Sequence, residues 1–140
     1  MSNDTRQDFS MFRKERAMLS ITPPQVTKEG KACLFLNGAI FSKELGKMDW
    51  NNKITVKLDL MDVGKIIHGV GYGKDVDIYH KAATGNAKQI QIANKEGECT
   101  MFVKEKGEVE KTVFMKMTPE ERIVLNELLK YSLKYLAQWV

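Results

Sequence analysis

The sequence predicts an α+β fold in which two antiparallel four-stranded β-sheets are each followed by a helix. Three observations support this prediction. Segments in which apolar and polar residues alternate recur along the chain, as expected for half-buried strands. Short turn signals separate most of these segments, which favours antiparallel neighbours. Two segments with helical spacing each follow a group of strands, so we expect helices on one side of curved sheet.

The first half of the chain is predicted to contain four strands. Residues 1–13 are polar and lack periodicity, so we predict a mobile N-terminal arm, followed by a single domain at residues 14–140. Asn37 and Gly38 form a tight-turn signal, which we expect to separate two of the strands. The strands themselves are predicted at residues 17–22, 31–36, 39–42 and 53–59.

A short helix is expected between the two groups of strands. Asp59 can cap its N-terminus, and apolar positions continue at helical spacing to about His68. The glycine-rich residues 69–73 are expected to end it. The second group of strands is predicted at residues 75–80, 88–93, 99–104 and 111–117.

The C-terminal helix has a complete start signal. Thr118 offers an N-cap hydroxyl, Pro119 suits the first helical position, and Glu121 completes a capping box. The helix that follows is apolar on more than one side, so it needs more than one partner. We expect the sheet to cover one side and another copy of the chain to cover the other. Complete burial within a single domain is the alternative.

Composition and charge narrow the class of protein. The chain has 140 residues, which suits one domain, and its 43% hydrophobic and 29% charged residues are ordinary for a soluble globular protein. No apolar run is long enough to cross a bilayer, and the N-terminal residues show no secretory or transit pattern, so we expect a cytosolic protein without a membrane partner. The net charge of +4 mildly favours a polyanionic partner.

The side of the sheets away from the helices is the candidate binding surface. Alternation along the strands places cations, hydrogen-bonding groups and aromatic rings there. Cations can offset phosphate charge, and rings can stack on unpaired bases whatever their sequence. The alternative is that Tyr79, Phe102 and Phe114 pack on a second sheet. The residues predicted to point outward are Lys53, Thr55, Lys57, Asp77, Tyr79, Gln89, Gln91, Thr100, Phe102, Lys104, Phe114 and Lys116.

Several segments resemble those of a known family. Residues 14–20 (KERAMLS) are similar to a KGKAALS-like segment, residues 48–50 (MDW) to YDW, and residues 135–139 (YLAQW) to a terminal HLIGW. Residues 58–64 and 117–120 stand where the family has the junctions that open its two helices. In order and spacing, nearly the whole chain beyond the N-terminal arm resembles the Whirly family of single-stranded-DNA-binding proteins.

The resemblance implies two antiparallel four-stranded sheets, each followed by a helix, in a tetramer with the C-terminal helices at its centre. It also implies that single-stranded DNA runs across the strands, with bases lodged between the sheets. Because no transit peptide is visible, a bacterial, phage or viral member fits better than a plant organellar one. A related coactivator-type single-strand binder with the same sheet-and-helix unit would also fit.

We therefore predict a non-catalytic protein that binds single-stranded DNA in replication, recombination or repair, or in transcription regulation. An oligomeric protein-interaction module or an RNA-binding module is the alternative. The side chains expected to meet phosphates are Lys53, Lys57, Lys104 and Lys116. Lys14 and Arg16 are expected to add to the basic rim of the surface. The candidate stacking groups are Phe35, Trp50, Tyr79, Phe102 and Phe114. The side chains expected at base edges are Gln89 and Gln91.

Two features invite a different chemistry. The two histidines and two cysteines could suggest a metal site, but no pair of them has ligand spacing. Residues 69–74 (GVGYGK) resemble a phosphate-binding loop, but a helix is expected before them, a strand after them, and Asp75 follows the lysine where such a loop has Ser or Thr. We therefore expect no metal, no cofactor and no catalytic residue.

Overall fold

A computed structural model describes residues 5–81 and 85–140. The strands of its first sheet are β1 Phe9–Arg13, β2 Ala17–Ile21, β3 Gln25–Val26, β4 Ala32–Ser42, β5 Lys47–Met48 and β6 Ile54–Leu58. Four of them form the body of this antiparallel sheet in the order β1-β2-β4-β6, and the two-residue strands β3 and β5 also pair with β4. Because β4 is long, it can pair with every other strand of the sheet except β1.

The second sheet has four antiparallel strands in chain order, which is the arrangement that short connections favour. Helix α1, Leu60–Tyr72, joins the two sheets, and helix α2, Pro119–Leu136, follows the second one. The predicted class, two antiparallel sheets each followed by a helix, is therefore confirmed. The strands of the second sheet are β7 Val76–His80, β8 Ala87–Lys95, β9 Glu98–Lys106 and β10 Lys111–Met117.

One apolar core joins both sheets and both helices. Leu19 of β2, Val63 of α1, Met101 of β9 and Leu125 of α2 all belong to it, and each is fully buried. The inward positions alternate along the strands, as a half-buried sheet requires. Among the described residues, no helix is both long and apolar enough to cross a membrane.

The prediction of a mobile arm at residues 1–13 is wrong for Phe9–Arg13, because these five residues form β1. This strand pairs with β2 over its whole length, from Phe9 opposite Ile21 to Arg13 opposite Ala17. Met11 lies in the core and is 1% exposed. Three residues of β1 are buried or half-buried, but only Phe9 and Met11 among them are apolar, because the third is Arg13. Two apolar positions are too few to give a periodic signal, so only pairing with β2 defines the strand. Residues 1–4 of the arm lie outside the described residues.

Asn37 and Gly38 do not form the predicted turn, because β4 runs straight through them. Gly38 pairs with Leu19 on one side and with Ile54 on the other. A Cβ added at Gly38 would lie 3.0 Å from the Leu19 side chain and 3.2 Å from that of Val113 in β10. The glycine therefore serves the close approach of the second sheet to β4.

Helix α1 begins as predicted and ends later than predicted. Asp59 and Asp62 form a capping box at its start, and Gly73 ends it in the left-handed conformation with φ of 67°. Gly69 and Gly71 lie inside the helix. A Cβ at Gly69 would meet Ile92 at 2.9 Å, and one at Gly71 would meet Asn126 at 2.4 Å. These glycines allow α1 to pack closely on β8 and α2, which leaves no phosphate-binding loop at residues 69–74.

Helix α2 starts at the predicted capping box, with Thr118 as N-cap and Glu121 closing the box. Leu125, Leu129, Ser132 and Leu136 form its buried stripe. Other apolar side chains of the helix remain exposed on the single chain. They are Ile123, Val124, Leu128 and Tyr131.

Candidate nucleic-acid interface

The register of the second sheet brings many of the predicted site residues onto one face. Asp77, Gln91, Phe102 and Phe114 lie opposite one another across the four strands. The neighbouring row contains Tyr79, Gln89, Lys104 and Thr112, and a further row contains Thr100 and Lys116. The alternate positions, such as Ile90 and Val103, lie in the core. This face is therefore the outer face of the sheet.

Two aromatic rings stack at the centre of this outer face. The ring centroids of Phe102 and Phe114 are 5.8 Å apart, and the ring planes meet at 24°. Phe114 is 50% exposed. Tyr79 is 55% exposed, so neither Phe114 nor Tyr79 is buried against a second sheet, whereas Phe102 is half-buried.

Each of these rings has its own cation. The guanidinium carbon of Arg16 lies 6.0 Å from the centroid of Phe114, and the Lys104 ammonium lies 5.9 Å from that of Phe102. Lys104 comes from the same strand as Phe102, whereas Arg16 reaches over from the turn between β1 and β2 of the first sheet. We call Arg16, Phe102, Lys104 and Phe114 the cation–aromatic cluster. Both cations lie at the distance at which attraction to a ring face operates.

A second candidate region is a cleft of about 560 Å³ between the two sheets. Phe35 and Lys57, which are opposite each other in β4 and β6, lie on its first-sheet side. His80 and Lys88 lie on its second-sheet side. The Lys88 ammonium donates a hydrogen bond to the backbone carbonyl oxygen of Thr55 and thereby connects the sheets. We call this region the inter-sheet cleft.

Some predicted site residues are already engaged within the protein. Gln89 is only 8% exposed, and its amide donates to the Asp77 carboxylate at 2.9 Å. The predicted outward exposure of Gln89 is therefore wrong, because the amide turns along the sheet to its neighbour. Lys116 lies 3.3 Å from the Glu98 carboxylate, and both side chains remain largely exposed. An exposed pair of this kind is weak, so it does not hold the Lys116 side chain firmly in place.

The remaining candidates lie apart from the stacked rings in the chain. Trp50 is on the short 3₁₀ helix Trp50–Asn52 before β6, and its ring forms none of the ring pairs found within the described residues. Lys53 follows that helix and is exposed. Lys14 is exposed in the β1–β2 turn, two residues before Arg16. The structure thus divides the predicted set between the outer face, the inter-sheet cleft and these separate positions.

Three groups at these sites were not predicted from the sequence. His80 and Lys88 line the inter-sheet cleft, and Arg13 contacts the first turn of α2. His80 of β7 and Lys88 of β8 lie opposite each other. Both occupy positions whose side chains alternate toward the inner face of the sheet. Only the docking of the two sheets places them at a shared cleft, so strand periodicity carries no signal for them.

Both histidines lie next to side chains of helix α1. The Nε2 atom of His80 lies 3.0 Å from Asp62, the residue that closes the capping box of α1. His68 lies on α1 beside Tyr72, with 6.4 Å between the ring centroids. Within residues 5–81 and 85–140, no group of three His, Cys, Asp or Glu side chains is placed to hold a metal ion.

Comparison with known proteins identifies the fold. No protein-family model matches the sequence, and no curated protein matches it. Among solved structures, the chain is similar to the plant transcriptional regulator PBF-2, a Whirly protein, with a TM-score of 0.78 and 15% sequence identity. The similarity covers 99% of this chain and 86% of that one. The resemblance found in the sequence is thereby confirmed for the architecture: this chain has the Whirly fold.

Proposed function

We propose that the chain binds single-stranded nucleic acid, with DNA as its ligand, without catalysis and largely without sequence preference. The observation that carries this proposal is the cation–aromatic cluster, a pair of stacked rings on an outer sheet face with a cation at each ring. A single strand offers both things that this cluster can bind, namely open base faces and phosphate charge. A duplex hides its base faces, so it should bind less tightly.

The binding energy expected from this arrangement is substantial. Stacking of one base on an aromatic side chain contributes about 1–3 kcal/mol and depends little on which base is bound. The cations add a salt-dependent term, because each neutralised phosphate releases counterions. The inter-sheet cleft, with Phe35 and Lys57 on one side and Lys88 on the other, offers a second place of the same character. A single strand of DNA that runs across the sheet can contact both the cation–aromatic cluster and the inter-sheet cleft.

The structural neighbour fits a nucleic-acid ligand. PBF-2 is a plant transcriptional regulator. The resemblance to the Whirly family implies single-stranded DNA as the ligand, and the outer face of this chain carries its own rings and cations to bind it. For the biological role, we propose replication, recombination or repair, since a binder without sequence preference can act on any exposed single strand.

We also propose that the chain is an oligomer, with a tetramer built around α2. The support is the exposed apolar surface of this helix on a single chain, on which Ile123 is 65% and Tyr131 61% exposed. An amphipathic helix that leaves such side chains in water is typical of one that packs on a second copy.

Titration of a labelled oligonucleotide tests the proposed ligand. Single-stranded DNA, the matching duplex and the matching single-stranded RNA are each titrated at two salt concentrations and followed by fluorescence anisotropy. We expect the single strand to bind more tightly than the duplex, and binding to weaken as salt rises. Absence of binding at low salt would contradict the proposal. Tighter binding of RNA would favour the RNA-binding alternative.

The same titration with Phe114→Ala tests the cation–aromatic cluster. Loss of a stacking ring should weaken single-strand binding by about 1–3 kcal/mol. Tyr72→Ala is the matched control, since Tyr72 is a comparably exposed ring at the end of α1. Equal losses in the two variants would show that Phe114 has no special part in binding.

A further inference from the structure

We propose that Arg13 is a positioning residue for the DNA interface: its ion pair with Glu121 fixes the β1–β2 turn so that Arg16 lies over Phe114. The inference rests on the proposed function for its effect on DNA binding. Its structural part, the order of the Arg16 side chain, does not depend on any ligand.

Arg13 connects the end of β1 to the other sheet and to α2. Its guanidinium donates to both carboxylate oxygens of Glu121, at 2.5 and 3.0 Å, and to the backbone carbonyl oxygen of Lys116 at 2.8 Å. Lys116 lies in β10, two residues after Phe114. One side chain therefore holds the start of the β1–β2 turn against the strand that supplies the aromatic ring.

Glu121 is a rigid partner for Arg13 because it is also part of the α2 capping box. Its Oε1 atom accepts from the Thr118 backbone N–H at 2.9 Å, and its own backbone N–H donates to the Thr118 hydroxyl at 3.1 Å. The side chains of Arg13 and Glu121 are only 23% and 19% exposed. A forked pair in this setting has a defined geometry, unlike a mobile surface pair.

The β1–β2 turn connects Arg13 to Arg16, three residues later in the chain. The Arg16 backbone N–H donates to the Arg13 carbonyl oxygen at 3.0 Å, and the Arg16 carbonyl oxygen accepts from Phe41 at 2.9 Å. Glu15 takes a left-handed conformation with φ of 57°, which closes the turn. The Arg16 backbone is thus held at both of its hydrogen-bonding groups, and its guanidinium extends from there to Phe114. Without Arg13 the turn would lose its hydrogen bond to the backbone of β10.

The alternative is that the Arg13–Glu121 pair only stabilises the fold. A structural role of that kind would lower the thermal stability without a specific effect at Arg16. A positioning role predicts that loss of Arg13 disorders the Arg16 side chain, and that Arg13 has no effect on DNA binding once Arg16 is gone.

The first experiment needs no DNA. The order of the Arg16 Nε–H group is measured by nitrogen-15 relaxation in the wild type, in Arg13→Gln and in Glu121→Gln. We expect the order of Arg16 to fall in both variants, and to be partly kept in Arg13→Lys, which retains the charge without the fork. Lys130→Gln is the control, because it removes the solvent-exposed pair with Glu127 on α2. Unchanged order at Arg16 in folded Arg13→Gln or Glu121→Gln protein would overturn the proposal. If Arg13→Gln does not fold, the order of the Arg16 Nε–H group in Glu121→Gln alone decides whether the ion pair orders Arg16.

The second experiment is a double-mutant cycle on single-strand binding with Arg13→Gln, Arg16→Gln and both together. Loss of one cation at a ring should weaken binding about three- to tenfold. We expect Arg13→Gln to cause a similar loss and the double variant to bind no more weakly than Arg16→Gln alone. Fully additive losses would contradict the inference. If the wild type binds no DNA, the proposed function fails, while the relaxation result still decides whether Arg13 orders Arg16.

Discussion

At the scale of single residues, position on the sheet decides which predicted groups can meet a ligand. Phe102 and Phe114 are neighbours across β9 and β10, so they form one stacked surface. Gln89 has the same inward–outward alternation, yet its amide is bound to Asp77 and nearly buried. Residue type and alternation identify candidates. The contacts between neighbours decide which of them remain free.

Substitution of Lys57 tests the contribution of a single cation to single-strand binding. It is exposed on β6 and lines the inter-sheet cleft opposite Lys88. Lys57→Glu should weaken single-strand binding and lower the salt slope of the binding constant by about one, since one phosphate contact is lost. The slope is measured by titration at several salt concentrations. Lys65→Glu on α1 is the matched control, and an unchanged slope in Lys57→Glu would remove Lys57 from the interface.

At the scale of elements, two capping boxes fix the helices at the ends of their sheets. Asp59 and Asp62 start α1 directly after β6, and Thr118 and Glu121 start α2 directly after β10. Their side chains satisfy backbone N–H groups that no turn of helix can reach. The box on α2 has a further role, since Glu121 also binds Arg13 of β1.

The capping box of α2 predicts that the stability of the protein depends on pH. The hydrogen bonds from Arg13, together with the bonds to Thr118, lower the pKa of Glu121 below its ordinary value, although partial burial opposes this shift. A carboxyl with a lowered folded-state pKa stabilises the protein above its unfolded-state pKa, about 4.3, and this contribution is lost as pH falls through the folded-state pKa. Thermal unfolding should therefore show a gap between wild type and Glu121→Gln that is largest at neutral pH and narrows in acid.

The control for this measurement is Glu127→Gln, which removes a carboxylate from an exposed pair on the same helix. We expect it to change the unfolding temperature little, because exposed pairs contribute at most about 1 kcal/mol. A gap between wild type and Glu121→Gln that does not depend on pH would mean that ionisation of Glu121 is unimportant for stability.

At the scale of the whole molecule, α2 has two apolar sides with different roles. Leu129 is 1% exposed and belongs to the core, whereas its neighbour Leu128 is 46% exposed. Leu128 lies with Tyr131 and Tyr135 along an apolar groove that also includes Pro23 of the first half of the chain. The single chain therefore fills one side of the helix and leaves the other in water.

Paired substitutions on this helix test the proposed oligomer. Leu128→Lys should leave the chain folded and break up the assembly, because it places a charge on the exposed apolar side. Leu129→Lys should instead unfold the chain, since it buries a charge in the core. Size-exclusion chromatography with light scattering and circular dichroism separate these outcomes. An assembly that survives Leu128→Lys would place the interface elsewhere.

The sequence alone determined the elements whose signals are local. Thr118, Pro119 and Glu121 lie within four residues and predicted the start of α2. Alternation predicted the strands of the second sheet, and the match to Lys111–Met117 is complete. A capping box and a strand alternation depend on neighbours in the chain, so their residues indicate them directly.

The tertiary structure decided everything that depends on residues far apart in the chain. Gly38 looked like a turn residue, but it lies inside β4, where an added Cβ would come within 3.2 Å of the Val113 side chain. The contact between Arg13 and Glu121 spans 108 residues, and the inter-sheet cleft exists only because the two sheets dock. No local pattern encodes such contacts. The outer-face residues could therefore be predicted from the sequence. The contact between Arg16 in the β1–β2 turn and Phe114 of the second sheet depends on how the two sheets pack together.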